Sequence, residues 1–444
     1  MFALTMTVIV ALIIFLGYRF LYLKVFGGTK RFTKKQWVVS ILFTLYVVTV
    51  CALTFLNRGA TFEGNMNLSL FSSYREAWYK FSLRGWQYIY FNILMFVPLG
   101  FLLPLLHKRF AKIGWTLLVA ILFTAFIESV QFITGVGIFE LDDLFNNVLG
   151  ALIGFGVVMA LIVRKNWWKC VVYLLPILLV LGLSVGMFTY YEYKEFGNLS
   201  IVPANKVNMK DVLVTANIPL NDEQPLANVY QAPQFSKKEA KQFAYEFFEK
   251  LQIDTSEIEI IGYQNEANYR YNGEPSYFIW LHFLDGTYEL TDFSSFDHEL
   301  AETDEEKLKK KLAQLDISIP VQAQFEQLDT GRYQWRVNQL QTGDQLIDGT
   351  LSAEYYEDDT LKRIDHQIVT YEKVKEKKLK SVKQAYEELI DGKFQLFNHS
   401  IREIEIEQVD LGYVLDSKGF YQPVYVFRGK IDGESTEILI PALN

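Results

Sequence analysis

The stretch from Ile113 to Thr134 reads IGWTLLVAILFTAFIESVQFIT and contains a single ionisable side chain, Glu128. A helix of about 20 apolar residues crosses the hydrocarbon core of a bilayer, so this stretch predicts a membrane-spanning helix. Five comparable stretches occur in the first 190 residues: Phe2–Tyr18, Trp37–Leu56, Tyr88–Leu106, Asn147–Val163 and Trp168–Tyr190. The sequence therefore predicts an α-helical membrane bundle of about six transmembrane helices.

Acidic residues occur in every second predicted connection along the chain. Lysine and arginine occupy the first, third and fifth connections, at 24–35, 108–112 and 164–169, and these three connections contain no acid. The second and fourth connections carry the acids Glu63, Glu76, Glu140, Asp142 and Asp143. Cytoplasmic loops collect lysine and arginine. We therefore predict a multi-pass cell-membrane protein whose N-terminus and C-terminal domain are extracytoplasmic.

The composition changes abruptly near residue 190. Residues 1–190 carry 16 Lys and Arg against 6 Asp and Glu, whereas residues 191–444 carry 27 against 45. Both cysteines, Cys51 and Cys170, lie in apolar stretches, so no disulfide framework is predicted for the acidic half. We predict a transmembrane domain at 1–190, a linker and entry segment at 191–232, and an extracytoplasmic domain at 233–444.

Polar residues recur at one end of the predicted bundle. A carboxylate in hydrocarbon costs on the order of 3 kcal/mol, so intramembrane acids usually face a bundle interior or a cavity. Glu128 and Gln131 share one face of their helix, and the remaining members lie at the same predicted outer end: Asn92, Asp142, Asp143 and Asn147. These six residues are either a functional site of the outer leaflet or a hydrogen-bond network that fixes helix packing.

Two predicted helices contain residues that affect helix geometry. Pro98 and Pro104 predict kinks in the third helix, which also contains Gly100. In the fifth helix, Gly150 and Gly154 lie on the same face as Asn147. Small residues on one face allow two helices to approach closely, so we interpret these glycines as packing residues.

Three segments in this order resemble the VanZ-like family over about residues 35–165. They are NILMFVPLGFLLP from Asn92 to Pro104, ESVQF from Glu128 to Phe132, and FELDDLFNNVLGALIG from Phe139 to Gly154. The resemblance implies a cell-envelope role in Gram-positive antibiotic resistance, with reduced susceptibility to lipoglycopeptides such as teicoplanin. Family members often carry an arginine just before the acidic run, where this chain has Gly137. If that arginine normally pairs with the acids or with a ligand phosphate, its absence argues against a phosphate-binding role unless Arg84 or Arg58 of the other outer loop takes its place.

The acidic half alternates helix and strand patterns. Ser236 and Glu239 form a capping-box pattern that predicts the start of an amphipathic helix. Thr303–Glu306 predicts the start of a second helix, and Lys378–Leu389 predicts a third. Predicted strands lie between the second and third helices: Gln322–Leu328, Tyr333–Leu340, Gly349–Tyr356 and Leu361–Tyr371. The acidic half is therefore predicted to be an α+β domain.

Two parts of this domain share the order helix, strand and long hairpin, at 240–285 and 382–432. The second part, with Gly412–Tyr413, Tyr421–Tyr425 and Ile438–Pro441, resembles PepSY-like domains of the YycH/YycI type. Those domains are exported regulatory modules. The resemblance therefore implies a sensing or interaction role for the outer domain.

The acidic half contains no recognisable catalytic or metal motif. Four histidines, His282, His298, His366 and His399, lack the spacing of metal ligands. The basic run Lys373–Lys380 is interpreted as the solvated start of a helix. We predict no cofactor, no metal and no nucleic-acid partner.

Three functions remain open from the sequence. The first is a non-enzymatic membrane protein that protects or remodels the cell surface. The second is an intramembrane enzyme or binder that acts on a lipid-linked cell-wall precursor through Glu128. The third is a regulatory scaffold whose outer domain binds another envelope protein. The partners considered are accordingly membrane lipids, a lipid-linked precursor or glycopeptide, and an envelope protein.

Overall fold

The computed structural model describes residues 33–55, 66–396 and 401–443. The chain divides into two compact units, a helical unit that ends at Lys194 and a sheet unit that begins at Glu195. The predicted fold class, a helical membrane bundle followed by an α+β domain, is confirmed. The first predicted span, Phe2–Tyr18, lies outside the described residues.

In the described part of the helical unit, five helices are long and apolar enough to cross a membrane. A sixth, shorter helix precedes the second of them. In chain order the helices are α1 (Lys34–Phe55), α2 (Ser72–Lys80), α3 (Leu83–Leu106), α4 (Ile113–Thr134), α5 (Leu141–Ile162) and α6 (Trp167–Tyr193).

Helix α5 begins six residues before its predicted start at Asn147. Asp142 and Asp143, predicted in the preceding loop, therefore lie in the first turn of α5. Acidic side chains stabilise this position because they face the positive end of the helix dipole. Helix α3 is continuous across Pro98 and Pro104.

Helices α3 and α5 pack backbone against backbone. A Cβ atom built on Gly150 would lie 1.9 Å from the carbonyl oxygen of Ile93, and one on Gly154 would lie 1.9 Å from that of Val97. From the other side, a Cβ atom on Gly100 would lie 1.8 Å from the carbonyl oxygen of Ala151. The absence of side chains at these three positions therefore sets the α3–α5 distance.

The sheet unit contains, among its described residues, one sheet of 14 strands. Two further short strands, β1 (Met66–Asn67) and β2 (Phe139–Glu140), pair in parallel within the helical unit. The strands of the large sheet are β3 (Leu213–Ala216), β4 (Leu226–Gln231), β5 (Ile258–Gly262), β6 (Glu266–Tyr271), β7 (Tyr277–His282), β8 (Tyr288–Asp292), β9 (Gln324–Asp329), β10 (Arg332–Thr342), β11 (Gln345–Tyr355), β12 (Leu361–His366), β13 (Val369–Lys378), β14 (Glu403–Leu415), β15 (Phe420–Ile431) and β16 (Glu434–Pro441).

The strand order is β3-β14-β15-β4-β13-β11-β12-β8-β7-β6-β5. Strand β10 pairs with β11 and β9, and β16 pairs with β15. Residues 191–232, expected to be a linker and entry segment, contribute β3 and β4, and β4 lies in the sheet interior between β15 and β13. The end of this segment is therefore part of the sheet.

Three helices pack in the sheet unit: α7 (Lys237–Lys250), α8 (Glu305–Gln314) and α9 (Val382–Ile390). Ser236 and Glu239 form both halves of the predicted capping box. Helix α8 is capped by Asp304, one residue after the predicted Thr303, because the Asp304 carboxylate accepts from the Lys307 N–H. Helix α9 begins at Val382 rather than Lys378, with its own capping box from Ser381 and Gln384.

The basic run at Lys373–Lys380 was predicted as a helix start, and this is wrong. Most of it belongs to strand β13, in which Val369 and Tyr371 are buried. Residues 372–378 pair with β4, so backbone hydrogen bonds to a distant strand override the local pattern.

Large side chains fill the two largest cores in the described part of the sheet unit. One core packs Phe247 and Phe248 of α7 and Leu308 of α8 against strands that contribute Trp335. The other packs Leu389 of α9 against strands that contribute Phe427. Burial of these apolar side chains is the main stabilising contribution to a unit of this type.

Candidate functional site

The six polar residues singled out in the sequence all lie at one end of the helical bundle, and we call them the polar cluster. Asn92 lies in the first half of α3, and Asp142, Asp143 and Asn147 lie in the first two turns of α5. Glu128 and Gln131 lie near the end of α4. Because consecutive helices run in opposite directions, these three helix ends meet. Four members are almost completely buried: Glu128, Gln131, Asp142 and Asn147.

Asp142 binds the start of the short helix α2. Its carboxylate accepts from the backbone N–H of Phe71 at 2.5 Å and of Ser73 at 2.8 Å, and from the Ser72 hydroxyl at 3.2 Å. A carboxylate at a helix N-terminus satisfies free N–H groups and complements the helix dipole. Asp142 therefore holds the segment before α3 against the start of α5.

The amide side chains of the cluster each bind a different helix. Asn92 donates to the Asp143 carboxylate at 2.5 Å, which joins α3 to α5. Asn147 donates to the Thr124 hydroxyl at 2.8 Å, and Gln131 donates to the Thr54 carbonyl at 3.2 Å. The cluster thus connects α1, α3, α4 and α5 by polar contacts.

Glu128 accepts from the backbone N–H of Glu140 at 3.4 Å. The sequence predicts that Glu128 is either protonated or bonded to Asn92, Gln131 or Asn147. The amides of these three residues donate to Asp143, Thr54 and Thr124, respectively. Glu140 lies in β2, which pairs with β1, so the Glu128 carboxylate contacts the short sheet that connects two interhelical segments. With only 2% of its surface exposed, this carboxylate is well shielded by the protein.

Several residues of the site were missed from the sequence. Asn146 is 1% exposed and accepts from the Tyr74 hydroxyl at 2.5 Å. Thr124 is fully buried, one turn before Glu128 on the same face of α4. The adjacent asparagines in an otherwise apolar helix were a signal for Asn146, whereas Thr124 carries no signal because threonine is common in membrane helices.

Two amide atoms of the site have no partner among the described residues. Among the described residues, neither the Asn146 Nδ2 nor the Asn147 Oδ1 atom has a hydrogen-bond partner, although both are buried. A buried polar atom without a partner costs about 1–3 kcal/mol. The site therefore offers one donor and one acceptor to a polar group that enters it.

The arginine that the VanZ-like pattern lacks at Gly137 is not replaced by Arg84. The Arg84 guanidinium donates to the Tyr88 hydroxyl at 3.0 Å, on the exposed surface of α3. Arg58 lies outside the described residues. Arg75 of α2 lies two residues after the segment that Asp142 binds. Its guanidinium donates to the Leu70 carbonyl and the Ser69 hydroxyl.

These features define a multi-pass membrane protein whose helical unit encloses a buried polar cluster and whose second unit is rich in β-sheet. Residues 43–164 match the VanZ/LLP1 family model, which confirms the resemblance seen in the sequence. The matched residues contain the whole polar cluster.

No curated protein matches the chain. Two solved structures are similar to about half of it. The Bacillus megaterium YpeB C-terminal domain is 12% identical, with a TM-score of 0.21, and the match covers 48% of this chain and 95% of that one. An uncharacterized protein from Eubacterium rectale ATCC 33656 is 10% identical, with a TM-score of 0.26, and the match covers 53% of this chain and 89% of that one. At these scores neither match supports a conclusion about this chain, and the PepSY-like resemblance stays a prediction.

Proposed function

We propose that this chain is a cell-envelope protein that lowers susceptibility to teicoplanin-type lipoglycopeptides through its VanZ-like domain. The observation that carries the proposal is the convergence of the three family-like segments on one buried polar cluster. The loop charges predict that this cluster lies in the outer leaflet, where cell-wall precursors and their inhibitors meet. In this proposal the sheet unit is a sensing or interaction module.

Within the cluster we assign different roles to the two most buried acids. Asp142 already accepts from three donors of the α2 segment, so its role is to hold that segment. The Glu128 carboxylate lies inside a membrane helix, is 2% exposed and accepts from the Glu140 backbone N–H at 3.4 Å. Because a buried intramembrane acid is costly, we assign the functional charge to Glu128.

A second candidate is a binder of a lipid-linked cell-wall precursor. The free Asn146 Nδ2 and Asn147 Oδ1 atoms favour it, because a polar headgroup offers partners for both. Binding of this lipid also gives the resistance role a physical basis, because the protein then covers the molecule on which the drug acts.

The test is expression of the full chain in a susceptible Gram-positive host. We expect tolerance to teicoplanin to rise more than tolerance to vancomycin. Glu128→Gln keeps the size and most of the hydrogen bonding of the side chain but removes its charge, so it should abolish the effect at unchanged protein level. Native mass spectrometry of the purified wild type and of Glu128→Gln then tests for a co-purifying lipid.

The matched control is Thr116→Val. Thr116 is a fully buried polar residue near the other end of α4, where its hydroxyl donates to the Phe110 carbonyl at 2.8 Å. This variant should keep wild-type tolerance. Unchanged inhibitory concentrations of both drugs in cells that contain the wild-type protein would rule out the resistance role. Full tolerance with Glu128→Gln would show that the cluster serves helix packing.

A further inference from the structure

The sheet unit contains a cavity of about 410 Å³ that lies far along the chain from the polar cluster. Small-molecule sites commonly have about 300–1,000 Å³. Its walls come from the end of β7 and the turn after it, and from β11, β13 and β15. The residues that decide its chemistry are His282, Asp285, Asp348, Tyr371 and Tyr421.

Two carboxylates give the cavity a negative charge. Asp285 uses one oxygen to accept from the N–H and hydroxyl of Thr287, and its second oxygen receives no hydrogen bond from a described residue. Asp348 accepts from the Tyr421 hydroxyl at 2.6 Å. Among the described residues that line the cavity there is no lysine or arginine. His282 pairs with Glu266 at 3.1 Å. The negative charge is thus not balanced by a fixed cation within the wall.

Stacked tyrosines form another part of the wall. The rings of Tyr371 and Tyr421 are parallel within 4°, with centroids 4.0 Å apart. Tyr371 is only 6% exposed, yet among the described residues its hydroxyl makes no hydrogen bond. Burial raises the pKa of Tyr371, and the negative charges of Asp285 and Asp348 raise it further. The hydroxyl therefore stays neutral and is available to accept from a ligand.

We propose that this cavity binds an organic cation, namely a primary ammonium group at the end of an aliphatic chain, as in a lysine side chain. The carboxylates of Asp285 and Asp348 attract the charge, and the Tyr371 hydroxyl accepts one of its N–H groups. The stacked tyrosine rings offer apolar contact to the aliphatic chain.

A metal ion fits these residues less well than an organic cation. No cluster of three or more His, Cys, Asp or Glu side chains suited to a metal occurs in the part of the chain that the structure describes. A lysine-type ammonium needs only two or three acceptors, which this cavity supplies. The proposal is independent of the resistance role, because it concerns a different unit and a different chemistry.

The test is calorimetric titration of the full chain in nanodiscs with Nα-acetyl-lysine methylamide. The control probe is the Nα,Nε-diacetyl derivative, which keeps the chain but removes the charge. We expect binding of the charged probe and at least about tenfold weaker binding of the neutral one. Asp285→Asn should weaken binding of the charged probe about tenfold, and Tyr371→Phe about threefold.

The control variant is Asp297→Asn, which removes one exposed acid of the sheet unit outside the cavity. It should bind the charged probe as the wild type does. Equal binding of both probes, no binding of the charged probe at millimolar concentration, or equal weakening by Asp297→Asn and Asp285→Asn would each overturn the proposal. Because Tyr371→Phe removes only a hydroxyl that has no described partner, it tests the site without disturbing the fold.

Discussion

The helical unit and the sheet unit are packed in different ways. In the helical unit the closest contacts are made where side chains are absent, at Gly100, Gly150 and Gly154. In the sheet unit the core consists of large aromatic side chains, and Trp335 and Phe427 are fully buried.

This difference follows from the solvent around each unit, which is lipid for the helices and water for the sheet. Lipid chains are as apolar as leucine, so burying a large apolar side chain between membrane helices gains little, and close backbone contact and polar contacts decide the packing. Water drives apolar side chains together in the sheet unit. A side chain added at one of these glycines should therefore damage the helical unit, and removal of a large buried side chain should damage the sheet unit.

The largest effect is expected from Gly154→Leu. The new side chain would have to occupy the space of the Val97 carbonyl, which lies 1.9 Å from an ideal Cβ position, so α3 and α5 cannot pack. We expect loss of monodisperse protein in size-exclusion chromatography. The control is Gly182→Leu in α6, where a Cβ atom meets no described atom within 4 Å. If both variants behave alike, the glycine contacts do not set the packing.

A smaller effect is expected from Phe427→Ala in the sheet unit. Removal of a fully buried phenylalanine leaves a cavity and costs about 3–5 kcal/mol. Hydrogen–deuterium exchange of the full chain measures the two units separately. In the variant, only the sheet unit should exchange faster than in the wild type. Phe296→Ala, at a side chain that is 76% exposed, is the control and should change stability by less than about 0.5 kcal/mol. Faster exchange in α3 and α5 would contradict the proposed separation of the two packing modes.

The smallest effect is expected from alkaline pH. Burial raises the pKa of Tyr288, which is 6% exposed in the core of the sheet unit. In the unfolded chain a tyrosine loses its proton near pH 10, before the folded protein does. The folded state therefore loses stability as the pH rises above about 10, by up to ~1.4 kcal/mol per pH unit.

Tyr288→Phe removes this proton, so its stability should fall less steeply than that of the wild type between pH 9 and pH 11. Hydrogen exchange in the sheet unit measures the difference. The wild type at neutral pH is the reference, because the titration contributes nothing there. Identical pH profiles for the two proteins would show that Tyr288 is ionised as easily in the folded protein as in the unfolded chain.

Much of the fold could be predicted from local sequence. The five described spans follow from apolar length alone, and the capping box of Ser236 and Glu239 follows from two residues three positions apart. The meeting of Asn92 with Asp143 followed from simple alternation of helix direction. These features depend on neighbours in the chain or on a regular up-and-down path.

Features that depend on distant partners could not be predicted. Nothing near Asp142 indicates that it binds the Phe71–Ser73 segment, about 70 positions earlier. Strand β13 carries a lysine-rich sequence that resembles a solvated helix start, and only its pairing with β4 makes it a strand. The free atoms of Asn146 and Asn147 depend on packing that no periodicity encodes.

The position of β4 has a consequence for biosynthesis. Tyr230 of β4 pairs with Tyr421 of β15, which follows about 190 positions later in the chain. Because the ribosome makes the chain from its N-terminus, β4 has no β15 neighbour until those residues have been made. Pairing over such a sequence separation is slow. The sheet unit therefore completes its fold as a late event, and a chain truncated before Phe420 leaves an interior strand with an open edge.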